Sequence, residues 1–210
     1  MISAAFLVKD PPLDRLVSLV EYLRPVVTQF VFVVDDRTAA ETSNTIAHWE
    51  GCTVIPFQWV DDFSAGRNAA LPHCTGEWTL ILDPDELPTR AMLDFCAQVD
   101  ASEWLDVTWQ GARYPAARGY LFFTKNYEDG VQGPEWEEHW HCRLFRTDQA
   151  SWYRPVHELV MLGGMGESSL RGTALLPKAP RGAYLIHSKM SDVAPASTDL
   201  YVKIGAGSAG

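Results

Sequence analysis

Apolar residues over the first hundred positions fall into short continuous runs separated by segments with helical spacing. Ile2–Val8 is a run with the length and continuity of a buried strand. Asp10-Pro11-Pro12 then reads as a helix start, with Asp10 as the cap residue followed by proline. Leu13, Leu16, Val17, Val20 and Leu23 follow at helical spacing. Phe30–Val34 is a second strand ending at Asp35-Asp36, and a helix is predicted from Ala39 to Trp49 with Gly51 as its stop. Thr53–Phe57 is a third strand, Ser64–His73 a helix shortened by Pro72, and Trp78–Leu82 a fourth strand running into Asp83-Pro84-Asp85-Glu86. Thr89–Val99 completes the series as a helix.

This alternation predicts an α/β fold, a Rossmann-like and mostly parallel sheet flanked by helices. Ligands of such sheets bind beyond the carboxyl ends of the strands. Asp35-Asp36 and Asp83/Asp85 both fall at that edge, and their shared placement says more than either motif alone. The second half reads differently. Trp104–Gln110, Tyr120–Thr124, Trp140–Phe145, Thr173–Leu176 and Ala183–His187 are strand-like without comparable helices between them. The expected organisation is a single domain over 1–190, with an alternating α/β half at 1–100 and a β-rich half at 101–190. A tail at 191–210 is expected, its small-residue end disordered.

Composition narrows the picture. Seventeen basic residues against 27 acidic ones leave the 210-residue chain at −10, which disfavours nucleic acid and anionic membranes as default partners. No apolar run reaches the roughly 18 residues of a membrane span, and Met1–Val8 lacks the charged start of a signal peptide. Cys52, Cys74, Cys96 and Cys142 have no metal-type spacing, so reduced thiols in a cytoplasmic protein are expected. Eight tryptophans divide between core positions and platforms for sugar rings.

Three segments carry candidate chemistry. Asp83 and Asp85, two residues apart at a strand end, suit a hard cation such as Mg²⁺ or Mn²⁺, although an acidic turn capping the next helix is the plainer reading. Asp36 is placed to accept hydrogen bonds from ribose or a base, or to cap the next helix. Arg67 and Asn68 sit in the early turns of a helix, where an arginine fork suits a diphosphate, the alternative being a solvated pair with Asp61 or Asp62.

Taken together, Trp59, Asp62-Phe63, Arg67-Asn68, Ala70, Gly76, Trp78 and Asp83-Pro84-Asp85-Glu86 resemble the pattern of family 2 glycosyltransferases of the glycosyltransferase A fold. FLVKD at Phe6–Asp10 and VFVVDD at Val31–Asp36 are similar to that family's first two strands. The likeness continues more thinly through RLFR (Arg143–Arg146), PVHE (Pro155–Glu158) and LIHS (Leu185–Ser188). The resemblance implies a metal-dependent, inverting transfer of a sugar from a nucleoside-diphosphate donor to an acceptor hydroxyl. It implies that Lys9, Asp36, Arg67, Asn68, Asp83 and Asp85 bind the nucleotide sugar. It also implies that Asp83, Asp85 and His187 hold Mn²⁺ or Mg²⁺, and that Glu158 is the general base with His157 as its rival. The chemistry is coherent. A leaving diphosphate gathers negative charge that a cation offsets, and the attacking hydroxyl must lose a proton to a base.

Trp136, Trp140 and Trp152 are acceptor-side candidates, as platforms or as walls that exclude water. His139 and His141 share a strand face, but no carboxylate motif accompanies them. Arg37-Thr38-Ala39-Ala40 and Pro11-Pro12 depart from the family pattern on the nucleotide side. Acceptors left open are a glycan, a lipid-linked glycan, a protein, a small molecule and a modified nucleobase. A competing function is a non-catalytic module that binds a sugar nucleotide or a partner without turnover. A nucleotidyltransferase would need a glycine-rich basic loop after the first strand, where Lys9-Asp10-Pro11-Pro12 stands instead.

Overall fold

The structure, a computed structural model, describes residues 1–102, 106–114, 116–128, 131–132 and 140–189. Its elements run β1 (Ile2–Val8), α1 (Leu13–Leu23), β2 (Gln29–Asp35), α2 (Ala40–Ala47), β3 (Cys52–Phe57), α3 (Phe63–Ala70), β4 (Trp78–Leu82), β5 (Glu86–Pro88) and α4 (Arg90–Ala101). They continue with β6 (Val107–Trp109), β7 (Ala112–Tyr114), β8 (Gly119–Glu128), β9 (Val131–Gln132) and β10 (Trp140–Arg146). The last are β11 (Ala150–Tyr153), β12 (Leu159–Leu162), β13 (Met165–Gly166), α5 (Glu167–Leu170) and β14 (Tyr184–Lys189).

A nine-stranded sheet dominates, in the order β3-β2-β1-β4-β10-β8-β14-β5 with β9 paired to β8. The β3-β2-β1-β4 portion is parallel, as the helical crossovers require. Beyond it the sheet is mixed. β10 runs antiparallel to β4 and β8, β14 runs parallel to β8, and β5 closes the edge antiparallel to β14. The expected α/β architecture with a helix-flanked central sheet is present; the parallel part is the first-half strands, and the β-rich second half continues the same sheet with mixed pairing. Small sheets β11-β12-β13 and β6-β7 lie apart from it.

The continuous apolar runs are explained by burial on both faces. Ile2, Ala4, Phe6 and Val8 of β1 join Phe30, Phe32 and Val34 of β2 in one core cluster under α1 and α4. The intervening Ala5, Val31 and Val33 join the other cluster, with Ile81, Phe145, Trp152 and Val160. Successive strand side chains point to opposite faces, so a strand covered on both sides reads as unbroken apolar sequence. Glycine marks close approaches. A Cβ on Gly76 would lie 2.6 Å from the Ser3 nitrogen, and one on Gly66 would lie 2.9 Å from Leu7 Cδ1, which is how α3 settles onto β1.

Two local expectations change. Pro12, not Asp10, stands at the N-cap of α1 and makes no side-chain cap bond. Asp10 takes a positive φ of 42° and its Oδ1 accepts from Ala39 N–H at 3.2 Å, tying the loop after β1 to the start of α2. Thr173–Leu176 is a turn bearing one isolated bridge, not a strand. By contrast, Thr89 caps α4 through a bond from Met92 N–H, and α3 ends in the short 3₁₀ turn Leu71–His73 that Pro72 imposes.

Candidate active site

The carboxyl ends of β1, β2 and β4 open into a cleft of about 1060 Å³, roofed by the loop between β11 and β12. Lys9, Arg15, Arg37, Arg67, Arg143 and Arg154 all line it. Six acidic side chains (Asp10, Asp35, Asp83, Asp85, Glu158 and Glu167) line it as well, so cations and carboxylates are matched in number. Among the described residues, four of the five non-glycine positions with positive φ (Asp10, Asp61, Arg154 and His157) lie on the loops around this opening. Such backbone persists only where its surroundings over-determine it.

α3 builds the centre. Asp62 caps it, accepting from Ala65 N–H at 3.1 Å and from Ser64 Oγ at 2.6 Å. Gly66 is pressed against Leu7, and the next residue, Arg67, reaches the cleft floor, 6% exposed. Arg67 Nε donates to Glu158 Oε1 at 2.6 Å, and Nη2 donates to Asp83 Oδ1 at 3.0 Å. Its partners are therefore the strand-end carboxylate and the loop carboxylate, not Asp61 or Asp62. Burial opposes the Arg67 charge, but Asp83 and Glu158 outweigh it and raise the guanidinium's pKa further. Burial likewise opposes ionisation of Asp83, and Arg67 and Arg143 prevail to hold it below the usual carboxylate range. Glu86 has the opposite outcome. Its burial, reinforced by Asp83, pushes it up to about 7 despite its ion pair with Arg143.

His187 reaches the site through strand register. It lies opposite Asn126 across the β14–β8 pair and opposite Glu86 across the β14–β5 pair. Its Nδ1 is 2.9 Å from Asn126 Oδ1 and its Nε2 is 3.0 Å from Asp85 Oδ2. Donation from Nδ1 to Asn126 leaves the Nε2 lone pair facing a carboxylate, an arrangement that needs a proton or a cation between the two. Among the described residues no group of three histidine, cysteine or acidic side chains is placed to hold a metal. The Asp85–His187 pair nevertheless fits Mg²⁺ or Mn²⁺, which commonly take one or two protein ligands and fill the remaining positions with phosphate oxygens and water. Asp83 Oδ1 accepts from Arg67 Nη2, and Arg143 Nη1 stands 4.0 Å from Oδ2.

Several sequence-derived candidates fall elsewhere. Asn68 does not line the cleft: its Nδ2 donates to the Trp152 carbonyl at 2.9 Å and its Oδ1 accepts from Trp152 N–H at 2.7 Å. Asp36 is exposed and off the cleft, with Oδ1 accepting from Trp59 N–H at 3.2 Å, while its neighbour Asp35 lines the cleft. Asp35 is buried and gripped by both Nε and Nη2 of Arg37, which lowers its pKa to about 2. Arg37 also lies over the Trp59 ring at 5.2 Å. Trp140 is a core residue, tilted against Phe123 with Lys178 over its ring. Trp152 lines the cleft but offers no free platform, with Arg67 at 5.3 Å from its ring and Phe145 packed edge-on at 5.8 Å. Lys9, His157 and Glu158 do line the cleft, whereas Trp136 and His139 lie outside the described residues. Sequence reasoning missed Asp35, Arg37, Arg143 and Arg154 as site residues. The departure at Arg37 and the RLFR segment were the signals that pointed toward two of them.

The profile described as "Glycosyl transferase family 2" matches residues 18–150. A TPR repeat-containing protein of Synechococcus elongatus is 38% identical over 130 residues, which is 61% of this chain and 28% of that protein. The solved structure of S. aureus TarS with UDP-GlcNAc aligns with 97% of this chain and 64% of its own, at a TM-score of 0.55 and 13% identity. TarS with UDP aligns with 99% of this chain and 64% of its own, at a TM-score of 0.55 and 12% identity, so the likeness is one of fold. The chain thus spans just over a quarter of that curated relative and under two thirds of TarS. No helix among the described residues is long and apolar enough to cross a membrane. With the family profile covering more than half its length, the chain belongs to glycosyl transferase family 2.

Proposed function

We propose that the protein transfers a sugar from a nucleoside-diphosphate donor to an acceptor hydroxyl, with inversion at the anomeric carbon and with help from Mg²⁺ or Mn²⁺. The observation that carries this reading is the cleft at the strand ends, lined by interleaved arginines and carboxylates, with Asp85 3.0 Å from His187 and Glu158 held by Arg67. UDP-GlcNAc and UDP bound to TarS, a protein of similar fold, support a nucleotide-sugar donor.

Asp85 and His187 would hold the metal, which when bound offsets the charge that gathers on the leaving diphosphate. Arg67 and Arg143, buried and held by carboxylates, supply fixed positive charge to the same region without reorganising during the reaction. Glu158 Oε1 is held by Arg67, so Oε2 is oriented and available to take the acceptor proton. Trp59 and Arg37 at the β2 and β3 ends form the nucleoside side of the cleft.

Thermal-shift titration with UDP, GDP, dTDP, CDP and ADP, each with and without Mn²⁺, tests the donor assignment. Metal-dependent stabilisation by one of them is expected, and no response to any would refute it. Asp85→Ala should abolish both the metal effect and transfer while keeping the fold. Glu158→Gln should lower kcat by about 10²–10⁴-fold with little change in nucleotide affinity.

A further inference from the structure

Three neighbouring strands bring polar side chains into one row beside the cleft. In the sheet order β8-β14-β5, His187 of β14 lies opposite Asn126 of β8 on one side. On the other side it lies opposite Glu86 of β5, the residue after Asp85. Residues paired across adjacent strands project from the same face of a sheet. The register therefore sets Asn126, His187 and Asp85 in sequence across the strands. His187 Nδ1 is 2.9 Å from Asn126 Oδ1, and its Nε2 is 3.0 Å from Asp85 Oδ2. Asp85 and His187 line the cleft, and Asn126 stands behind them without lining it.

The imidazole gives Asn126 a defined task. A neutral histidine carries one ring proton, and the bond made at one nitrogen decides which of the two keeps it. Coordination to a divalent cation requires that the coordinating nitrogen be unprotonated. A carboxamide oxygen can only accept, so Asn126 Oδ1 holds the proton on Nδ1 and leaves the Nε2 lone pair toward Asp85. The two ring nitrogens point in different directions, so Asn126 acts through His187 and not as a further ligand.

Resting on the metal-assisted glycosyl-transfer reading, we propose that Asn126 is a positioning residue for the metal site. It fixes His187 as the Nδ1–H tautomer and so readies Nε2 to bind Mg²⁺ or Mn²⁺ beside Asp85.

The test measures metal binding and ring protonation and needs no turnover. Mn²⁺ alone is titrated into the full chain by loss of its free-ion EPR signal, with Asp85→Ala as the control that identifies binding at this site. Asn126→Leu removes the acceptor at similar size and unchanged charge. It should weaken the Asp85-dependent Mn²⁺ affinity by about 10–100-fold. Asn126→Asp, which restores an acceptor, should lie closer to wild type than to Asn126→Leu. In parallel, NMR of the His187 ring nitrogens is recorded in saturating Mg²⁺, with His187→Gln to assign them. The wild type should carry its proton on Nδ1, and Asn126→Leu should shift it toward Nε2. A folded Asn126→Leu protein with wild-type Mn²⁺ affinity, or equal losses in the Leu and Asp variants, would overturn the positioning role and leave the metal site standing. A proton on Nε2 of wild-type His187 would overturn the role too, whether or not Asn126→Leu folds. Absence of any Asp85-dependent Mn²⁺ binding in the wild type would instead overturn the metal-assisted reading, and the positioning role with it.

Discussion

Replacing Asn68 separates its two possible roles, since an asparagine beside a binding arginine reads from sequence as a ligand contact. Here the carboxamide makes a two-bond clamp on the Trp152 backbone, at 2.9 and 2.7 Å, which joins α3 to β11. Asn68→Ala removes both bonds and leaves an N–H and a carbonyl of a buried strand residue unpaired. Two net hydrogen bonds at about 0.5–1.5 kcal/mol each, with incomplete rehydration of the freed groups, put the loss at about 2–4 kcal/mol. In a protein of this size that is a drop in Tm of roughly 4–16 °C. Asn68→Asp should cost at least as much, because it keeps the acceptor for Trp152 N–H but sets a carboxylate against the Trp152 carbonyl. The assay is chemical and thermal unfolding, paired with calorimetry of the nucleoside diphosphate below the transition. Stability should fall while nucleotide affinity holds within about twofold. A stable Asn68→Ala protein with weakened nucleotide binding would refute the clamp and restore the ligand role.

Two further outcomes follow from single sites. Gly76→Ala should destabilise by about 1–3 kcal/mol in urea unfolding, because its Cβ would sit 2.6 Å from the Ser3 nitrogen and 2.8 Å from the Met1 carbonyl oxygen, backbone atoms that cannot swing aside. Glu86 is held at about 7 in the folded state, above its ordinary 4.5, so the native protein binds more protons than the unfolded chain between those values. Its contribution therefore makes stability fall as pH rises from about 5 to 7, and Glu86→Gln should flatten that part of the profile in pH-dependent unfolding.

The parts of the fold legible in the sequence were those fixed by local pattern. Strands buried on both faces, as β1, β2 and β4 are, appear as unbroken apolar runs whatever they pair with. Helix starts at Asp62 and Thr89 announce themselves through short polar side chains that bond the next turn. Asp10 escaped this logic because the same carboxylate can satisfy a backbone N–H on another loop, and nothing local distinguishes Leu13 from Ala39 as its neighbour. The strands β11, β12 and β13 are short and half-buried, so they leave little alternation to read.

The site divides along the same line. Asp85 and Glu158 stand on edges and loops whose position follows from chain order, and both reach the cleft. Their partners are a matter of long-range pairing: His187 meets Asp85 across 102 residues, and Arg67 meets Glu158 across 91. The choice between Asp35 and Asp36 turned on a third residue. Arg37 buries the Asp35 charge beneath Trp59, so the carboxylate that lines the cleft is already neutralised, and the exposed Asp36 is spent on the Trp59 backbone. This end of the cleft therefore presents a guanidinium over an indole where the sequence suggested an open carboxylate. Under the proposed function, that makes hydrogen-bond donation and stacking, not acceptance by a free aspartate, the interactions available to a nucleobase at this edge.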